Sequence, residues 1–339
     1  MLRVSVVVPN WNRSALLKKL LDDVAAQNVT PDEVIVVDNG STDDSVAIAR
    51  AAGASVIELG ANQGFSKAVN RGIERARGEW IAILNNDIEL ESDWLSQLLD
   101  RAIQRNAWFA SGKILNASNR SYLDGADDAV CRGASAWRCG HGRPDGQVWN
   151  QSRIIQIAPF TAAIFRSELF RKLGRLDEDF ESYLEDVDFG IRCSIQRLEG
   201  VYVPEAVAYH YGSATLGRWH ALTVRNIARN QLLLVAKHYP PYWIRKAGWA
   251  VFVAQGLWGL VALRHGAGLA FLAGKMEGLR RFRQVRQPGS PALWDVLEQS
   301  EHQIRELQNR TGFDSYWRAY FALTRLHRHT ACADLSTSA

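Results

Sequence analysis

Short apolar runs alternate with amphipathic stretches over the first hundred residues. Positions 4–8, 33–37, 55–58 and 80–84 read as strands; between them, 14–27, 43–52 and 66–76 carry the three-to-four-residue apolar spacing of helices. The order βαβαβαβ predicts an α/β domain built on a mostly parallel, Rossmann-like sheet flanked by helices. Val6-Val7-Val8 and Val34-Ile35-Val36-Val37 are apolar at every position, as in strands covered on both faces.

Regularity then falters. Residues 110–160, rich in Gly, Asp, Asn and Arg with weak periodicity, read as an irregular, mobile insert over the sheet edge. From 157 it returns: a strand or helix start to 166, helices over 167–173 and 184–198, and an alternating strand over 200–209 that ends at His210. Beyond 221 the chain becomes long apolar and basic helices. One run, 247–263, has Gln255 as its only strongly polar residue and is flanked by Arg245-Lys246 and Arg264. Its length is at the lower limit for crossing a bilayer. It reads as a membrane-surface helix, with Trp243, Trp249 and Trp258 at headgroup depth and Arg280, Arg281, Arg283 and Arg286 facing anionic lipid. A buried helix or a contact between copies of the chain is the competing reading. The expected organisation is a catalytic domain over 1–240, divided near 110, followed by a helical basic region over 241–339.

Charge sharpens this division. Residues 1–212 carry 23 Lys/Arg and 29 Asp/Glu, whereas 213–339 carry 17 and 7. The second part therefore favours anionic surroundings, and since its aromatics sit in apolar helical runs without a nucleic-acid motif, lipid fits better than DNA or RNA. Cys131, Cys139, Cys193 and Cys332 are too few for a disulfide framework and lack zinc-site spacing, so all four read as free thiols. The chain opens on strand-like residues without an apolar leader, which predicts a cytosolic start.

Polar residues gather where the predicted strands end: Pro9-Asn10-Trp11-Asn12, Asp38-Asn39-Gly40-Ser41, Asn62-Gln63-Gly64 and Asn85-Asn86-Asp87. Ligands of such sheets bind beyond the carboxyl ends of the strands. Singly, each loop is an ordinary turn or helix cap; together, four of them converge on one rim. Asp87 closes a buried strand, in the place for a divalent cation bridging two phosphates, with Asn85 and Asn86 beside it to add oxygens or hold a ribose. A second acidic run, Asp177 to Asp188, is interleaved with Phe180, Tyr183, Leu184 and Val187, so some of its carboxylates must point in defined directions. A fixed carboxylate can take the proton of an attacking hydroxyl, and Glu185 and Asp186 are the candidates. His210 ends a strand on the same rim, where a neutral imidazole suits Mn2+.

These stretches, in this order, resemble the family 2 glycosyltransferases of GT-A fold, in particular their bacterial rhamnosyltransferase-like branch. The resemblance runs from Val6-Val7-Val8-Pro9-Asn10-Trp11-Asn12 through Val36-Val37-Asp38-Asn39-Gly40-Ser41-Thr42-Asp43, Asn62-Gln63-Gly64-Phe65 with Asn70 and Gly72, Leu84-Asn85-Asn86-Asp87 and Gly174-Arg175-Leu176-Asp177-Glu178-Asp179-Phe180 with Tyr183-Leu184-Glu185-Asp186-Val187-Asp188 to His210 and Arg229-Asn230, covering about residues 1–240. It implies that Pro9, Asn10, Asn12, Asp38, Asn39, Ser41, Asn62, Gly64, Lys67, Asn70, Asn85 and Asn86 surround the nucleotide sugar. Asp87 and His210 would hold Mn2+ or Mg2+, Asp186 with Glu185 would supply the base, and Tyr183, Asp188 and Arg229 would lie on the acceptor side. Asn85-Asn86-Asp87 stands where the family commonly has Asp-x-Asp, leaving one carboxylate for the metal. The implied reaction is inverting transfer from a dTDP- or UDP-sugar to a hydroxyl of a glycan or lipid-linked glycan, at the cytoplasmic face of a membrane. A nucleotidyltransferase would need a glycine-rich basic phosphate loop, of which Pro9-Asn10-Trp11-Asn12-Arg13 is a poor version; a non-catalytic scaffold is the other alternative.

Overall fold

The computed structural model describes residues 3–212 and 219–324, so Cys332 lies outside the described residues. The first half follows the expected alternation: β1 (Val4–Asn10), α1 (Ser14–Ala25), β2 (Glu33–Asp38), α2 (Ser45–Ala51), β3 (Ser55–Glu58), α3 (Phe65–Arg75) and β4 (Trp80–Leu84). After β5 (Ile88–Leu90), α4 (Trp94–Gln104) and β6 (Phe109–Asn116) come β7 (Asn119–Gly125), β8 (Asp128–Val130), β9 (Ala136–Arg138) and β10 (Arg153–Ile155). β11 (Ala162–Arg166), α5 (Ser167–Leu173), α6 (Glu185–Ile195) and β12 (Gly200–His210) complete the strand-bearing part. Five helices follow: α7 (Ala221–His238), α8 (Trp243–Arg264), α9 (Gly268–Val285), α10 (Leu293–Thr311) and α11 (Ser315–Leu323).

The sheet runs β10-β12-β6-β11-β4-β1-β2-β3, with β5 added to β12 and β7 to β6. β3, β2, β1 and β4 are parallel, as their buried apolar runs predict. β11 then enters antiparallel between β4 and β6, which makes the whole sheet mixed. Side chains of β1 alternate between two cores: Val7 joins Val69, Ile83, Phe160 and Phe165 on one face, while Val4, Val6 and Val8 join Leu17, Leu20, Trp94 and Leu98 on the other.

Residues 110–160, expected as an irregular insert, hold most of β6 and all of β7 to β10. β6 lies inside the main sheet, β7 pairs with it, and β8 and β9 form a small ribbon of their own. Strands of three residues are too short to display a period of two, so local pattern cannot reveal them; tertiary packing forms them instead. Trp137 and Trp149, buried here, anchor this layer to the main core.

The C-terminal helices share that core across the boundary expected near residue 240. Ala250, Val253 and Ala254 of α8, Ile304 and Leu307 of α10, and Trp317 and Tyr320 of α11 cluster with Trp137 and Phe160. α8 is long and apolar enough to cross a membrane by length and composition, yet one of its faces is packed into the protein. Gln255 belongs to that face, donating to the Gly133 carbonyl 2.6 Å away and accepting from Lys275 of α9. Lys275 also donates to the carbonyl of Ala228 and to Gln231 Oε1, at 2.8 and 2.9 Å. Cys131, Cys139 and Cys193 are buried free thiols.

Burial pushes the Lys275 ammonium down to about 7. Between pH 7 and its ordinary 10.5, the unfolded chain holds a proton that the folded chain has released, so this lysine makes stability rise with pH over that window. Relative to Lys275→Met, the wild type is expected to gain about 3 kcal/mol between pH 7 and pH 9.5. Urea unfolding of both proteins at the two pH values measures the gain; an unchanged difference would mean that Lys275 titrates as it does in water.

Candidate active site

Two sets of loops meet above the carboxyl ends of the parallel strands. In the first, the register pairs Asn10 with Asp38 and buried Pro9 with Val37, so the end of β1 meets the end of β2. Asn10 Nδ2 donates to Asp38 Oδ1 (3.3 Å) and Ser41 Oγ (3.2 Å), while its Oδ1 accepts from Asn86 Nδ2 at 2.7 Å. Asp38 Oδ2 takes the backbone N–H groups of Gly40 and Ser41, and Ser41 Oγ takes that of Asn12. Asn12 has a left-handed backbone, φ 58°, and its Oδ1 accepts from Thr42 N. Asn39 is spent internally, receiving Gln63 N and donating to Asn62 Oδ1 and the Gly64 carbonyl. Lys67 is half-buried on the first turn of α3.

The second set carries the charge. β5 pairs antiparallel with β12, placing Ile88 opposite His210 and therefore Asp87 against the imidazole: His210 Nε2 lies 3.2 Å from Asp87 Oδ1. On the other side, His210 Nδ1 is 2.9 Å from Oδ2 of Asp124, which β7 brings in from the segment that the sequence leaves unassigned. Arg138 of β9 continues the chain. Its guanidinium donates from Nη1 to Asp124 and Thr161 (3.4 and 3.1 Å) and from Nε to Asp128 (3.4 Å), and Nη2 is 3.8 Å from Asp186 Oδ2. Gly125 is needed for this path, since a Cβ there would stand 2.4 Å from Arg138 Cγ. The result is an alternating chain, Asp87–His210–Asp124–Arg138–Asp186, crossing from one candidate role to the other.

These neighbours set the protonation states. Burial opposes the charge on His210, but hydrogen bonds to Asp124 and Asp87 raise its pKa to about 9. Asp124 is buried too, and His210 and Arg138 nevertheless hold it well below the usual carboxylate range. Asp128 goes the other way: burial, with the charge of Asp186 nearby, outweighs Arg138 and raises it to about 8. Burial and Asp186 also push Glu185 up, and its Oε2 is buried without a hydrogen-bond partner. Burial thus opposes at Glu185 the charged form in which a carboxyl accepts a proton.

Three expected site residues turn away from the rim. Asn70 is buried, and its amide is spent on both backbone groups of Leu176 and on Glu178, tying α3 to the acidic loop. Asp188 lies on the inner side of α6, held by Arg192 (2.8 Å) and His238 (2.7 Å), which bring its pKa to about 2 despite burial. Arg229 bonds the Phe180 carbonyl, Glu181 and Glu277 instead of facing an acceptor. With Asn230, whose Nδ2 donates to the carbonyls of Phe180, Ser182 and Tyr183, it clamps a loop in which Glu181, Tyr183 and Leu184 all have φ between 58° and 74°. Such backbone persists only where its surroundings enforce it. Tyr183 stays at the edge of the site, its hydroxyl 3.2 Å from Thr223 Oγ1.

The donors at Asp87 suit a hard divalent cation: one carboxylate, one imidazole whose other nitrogen is oriented by a carboxylate, and Asn85, whose Oδ1 is buried without a partner. Among the described residues no cluster of three or more His, Cys, Asp or Glu side chains could hold a metal ion. With these donors, the remaining positions of a bound Mg2+ or Mn2+ would fall to phosphate and water.

The sequence model of glycosyl transferase family 2 matches residues 5–174, half of the chain. The chain belongs to this family. It is 25% identical over 270 residues to the N-acetylglucosaminyl-diphospho-decaprenol L-rhamnosyltransferase of Mycobacterium tuberculosis, a match covering 73% of this chain and 88% of that one. Two solved structures share the fold of this family 2 glycosyltransferase. GalNAc-T7 with UDP, GalNAc and Mn2+ superposes with a TM-score of 0.61 at 15% identity, covering 92% of this chain and 58% of the other. The mannosyltransferase PcManGT of Pyrobaculum calidifontis, in complex with GDP-Man and Mn2+, superposes at 0.52 and 16% identity, covering 95% and 86%. The fold is GT-A, and the protein is a glycosyltransferase.

Arg138 faces three carboxyls, so removing it leaves buried charge uncompensated. Arg138→Leu is expected to cost about 3–5 kcal/mol of stability at pH 7. The loss should shrink on acidification, because protonated carboxyls no longer need the guanidinium. Chemical unfolding at pH 7 and pH 5 measures both, and a loss independent of pH would assign Arg138 a packing role only.

Proposed function

We propose that this enzyme transfers a sugar, rhamnose by the likeness to the mycobacterial relative, from a dTDP- or UDP-sugar to a hydroxyl of a lipid-linked glycan, with inversion at the anomeric carbon. The observation that carries this reading is the ion chain, which keeps a carboxylate suited to base catalysis in fixed relation to a carboxylate suited to a diphosphate-bound cation.

The base and ribose lie against the loops of Pro9, Asn10, Asn12, Asp38, Asn39 and Ser41, whose mutual hydrogen bonds hold them ready before the donor arrives. Asp87 and His210 would hold a divalent cation, which when bound would neutralise charge growing on the departing diphosphate. Asp124 fixes the imidazole by accepting from Nδ1–H, which sets the ring so that Nε2 faces Asp87 Oδ1 3.2 Å away. Asp186 takes the proton of the acceptor hydroxyl as oxygen attacks the anomeric carbon from the face opposite the leaving group. One C–O bond forms as the other breaks, and no covalent enzyme intermediate is required. Arg138 spans Asp124 and Asp186, so both ends of the reacting pair share one rigid element. The enzyme works at the cytoplasmic face of a membrane, where its acceptor is anchored.

The decisive experiment offers purified protein UDP-, dTDP- and GDP-sugars with Mn2+ or Mg2+ and reads binding and turnover. One donor should bind in a metal-dependent way. Asp186→Asn should lower turnover by about 10²–10⁴-fold with binding unchanged, and Asp87→Ala should weaken metal-dependent donor binding. Binding of no nucleotide sugar with either metal would overturn the reading in favour of a non-catalytic scaffold.

A further inference from the structure

α8 and α9 form a hairpin with one side spent on the protein. α9 lies so close to α7 that a Cβ at Gly274 would come within 2.2 Å of the Arg225 carbonyl oxygen. The other side of the hairpin is apolar and, among the described residues, uncovered. Leu260 and Leu263 end α8, Leu269 and Leu272 begin α9, and the four flank the turn at 64%, 66%, 85% and 56% exposure. Met276 and Leu279, also exposed, continue the stripe along α9 at the spacing of one helix face. An uncovered run of large side chains on this scale marks an interaction surface.

Its charge says what covers it. Residues 243–286 hold eight Lys/Arg and a single acid, Glu277, which is engaged by Arg225 and Arg229. Of the basic residues, Lys275 points inward, Arg281 is bonded to Asp179, and Arg286 to the carbonyls of Val235 and Ala236. Arg245, Lys246, Arg264, Arg280 and Arg283 are exposed. Two copies of this face would set cation against cation, whereas an anionic bilayer answers both the apolar stripe and the charge.

The position of the tip adds a reason for docking there. Trp219 stacks on His265 in the hairpin turn, with ring centroids 3.9 Å apart, and Val224 of α7 packs against Ala262 and Ala267. One residue before Val224, Thr223 contacts the Tyr183 hydroxyl, and Tyr183 leads directly into Glu185 and Asp186. A surface seated on the tip therefore lies beside the acceptor edge of the site.

We propose that the α8–α9 tip docks on an anionic lipid surface and so presents a membrane-anchored acceptor to Asp186. The proposal rests on the glycosyltransfer reading for its purpose, but not for its test. The full-length protein is sedimented with phosphatidylcholine vesicles with and without phosphatidylglycerol, at low and high salt, alongside Leu269→Ser/Leu272→Ser and Arg280→Glu/Arg283→Glu. Thermal melting checks that the variants fold. Wild type should bind the anionic vesicles, more weakly at high salt, and each double variant should bind about tenfold or more weakly. Donor hydrolysis without lipid should be unchanged in both. Wild-type indifference to phosphatidylglycerol, or variants that bind as wild type does, would overturn the proposal. Loss of a dimer on light scattering, with vesicle binding unaltered, would instead assign the face to a second copy. Vesicle binding in a protein that binds no nucleotide sugar would leave the docking surface standing while the transferase reading fails.

Discussion

The half-buried guanidinium of Arg138 is the interaction on which the site depends. Asp124, Asp128 and Asp186 come from β7, β8 and the first turn of α6, and without a cation among them their approach in a low-dielectric interior would be strongly unfavourable. Arg138 lets them meet, and the three divide the work. Asp124 stays ionised and orients His210, Asp128 is pushed toward its neutral form, and Asp186 remains at the edge of the site. The same cation thus links a histidine at the end of the sheet to an acid at the start of a helix, through a layer of small strands packed over both.

The scaffold around this chain is arranged to resist relaxation. The loop before α6 bends through three left-handed non-glycine residues, and Arg229 and Asn230 hold it by its carbonyls. From the other side, Ser66 N donates to the Glu181 carbonyl at 2.9 Å and Asn70 grips Leu176, so the helix that follows the nucleotide-side loops also fixes the acidic loop. The C-terminal helices close the assembly: α8, α10 and α11 supply apolar contacts to the layer that carries Asp124 and Arg138. Part of what the sequence presents as a separate basic appendage is therefore core for the strand-bearing part, and among the described residues the outer side of the α8–α9 hairpin stays exposed.

Local pattern was sufficient wherever one element covers its own period. The parallel strands β1 to β4, the helices between them, and the gathering of Asn10, Asp38, Asn85 and Asp87 at their ends follow from apolar runs and the residues that break them. His210 was legible for the same reason, as the polar end of a long alternating strand. Its partner Asp124 and the bridging Arg138 were not, because they sit on strands that exist only through pairing and packing, amid glycines and acids that locally read as loop. The one available signal was the apolar company of those charges: Ala126, Ala129, Val130 and Trp137 are all buried.

The sequence by itself determined the fold class, the rim of the site and the family, because those depend on short-range periodicity and on motifs whose order survives in the chain. Tertiary structure alone decided which acids stay charged, which conserve their hydrogen bonds for the scaffold, and which apolar face stays uncovered. Asp186, Glu185 and Asp188 occupy four consecutive positions with Val187 yet meet Arg138, a buried site beside Asp186, and an Arg192–His238 pair respectively. Protonation and direction are set by neighbours distant in sequence, since both desolvation and Coulomb energy depend on distance in space and not along the chain.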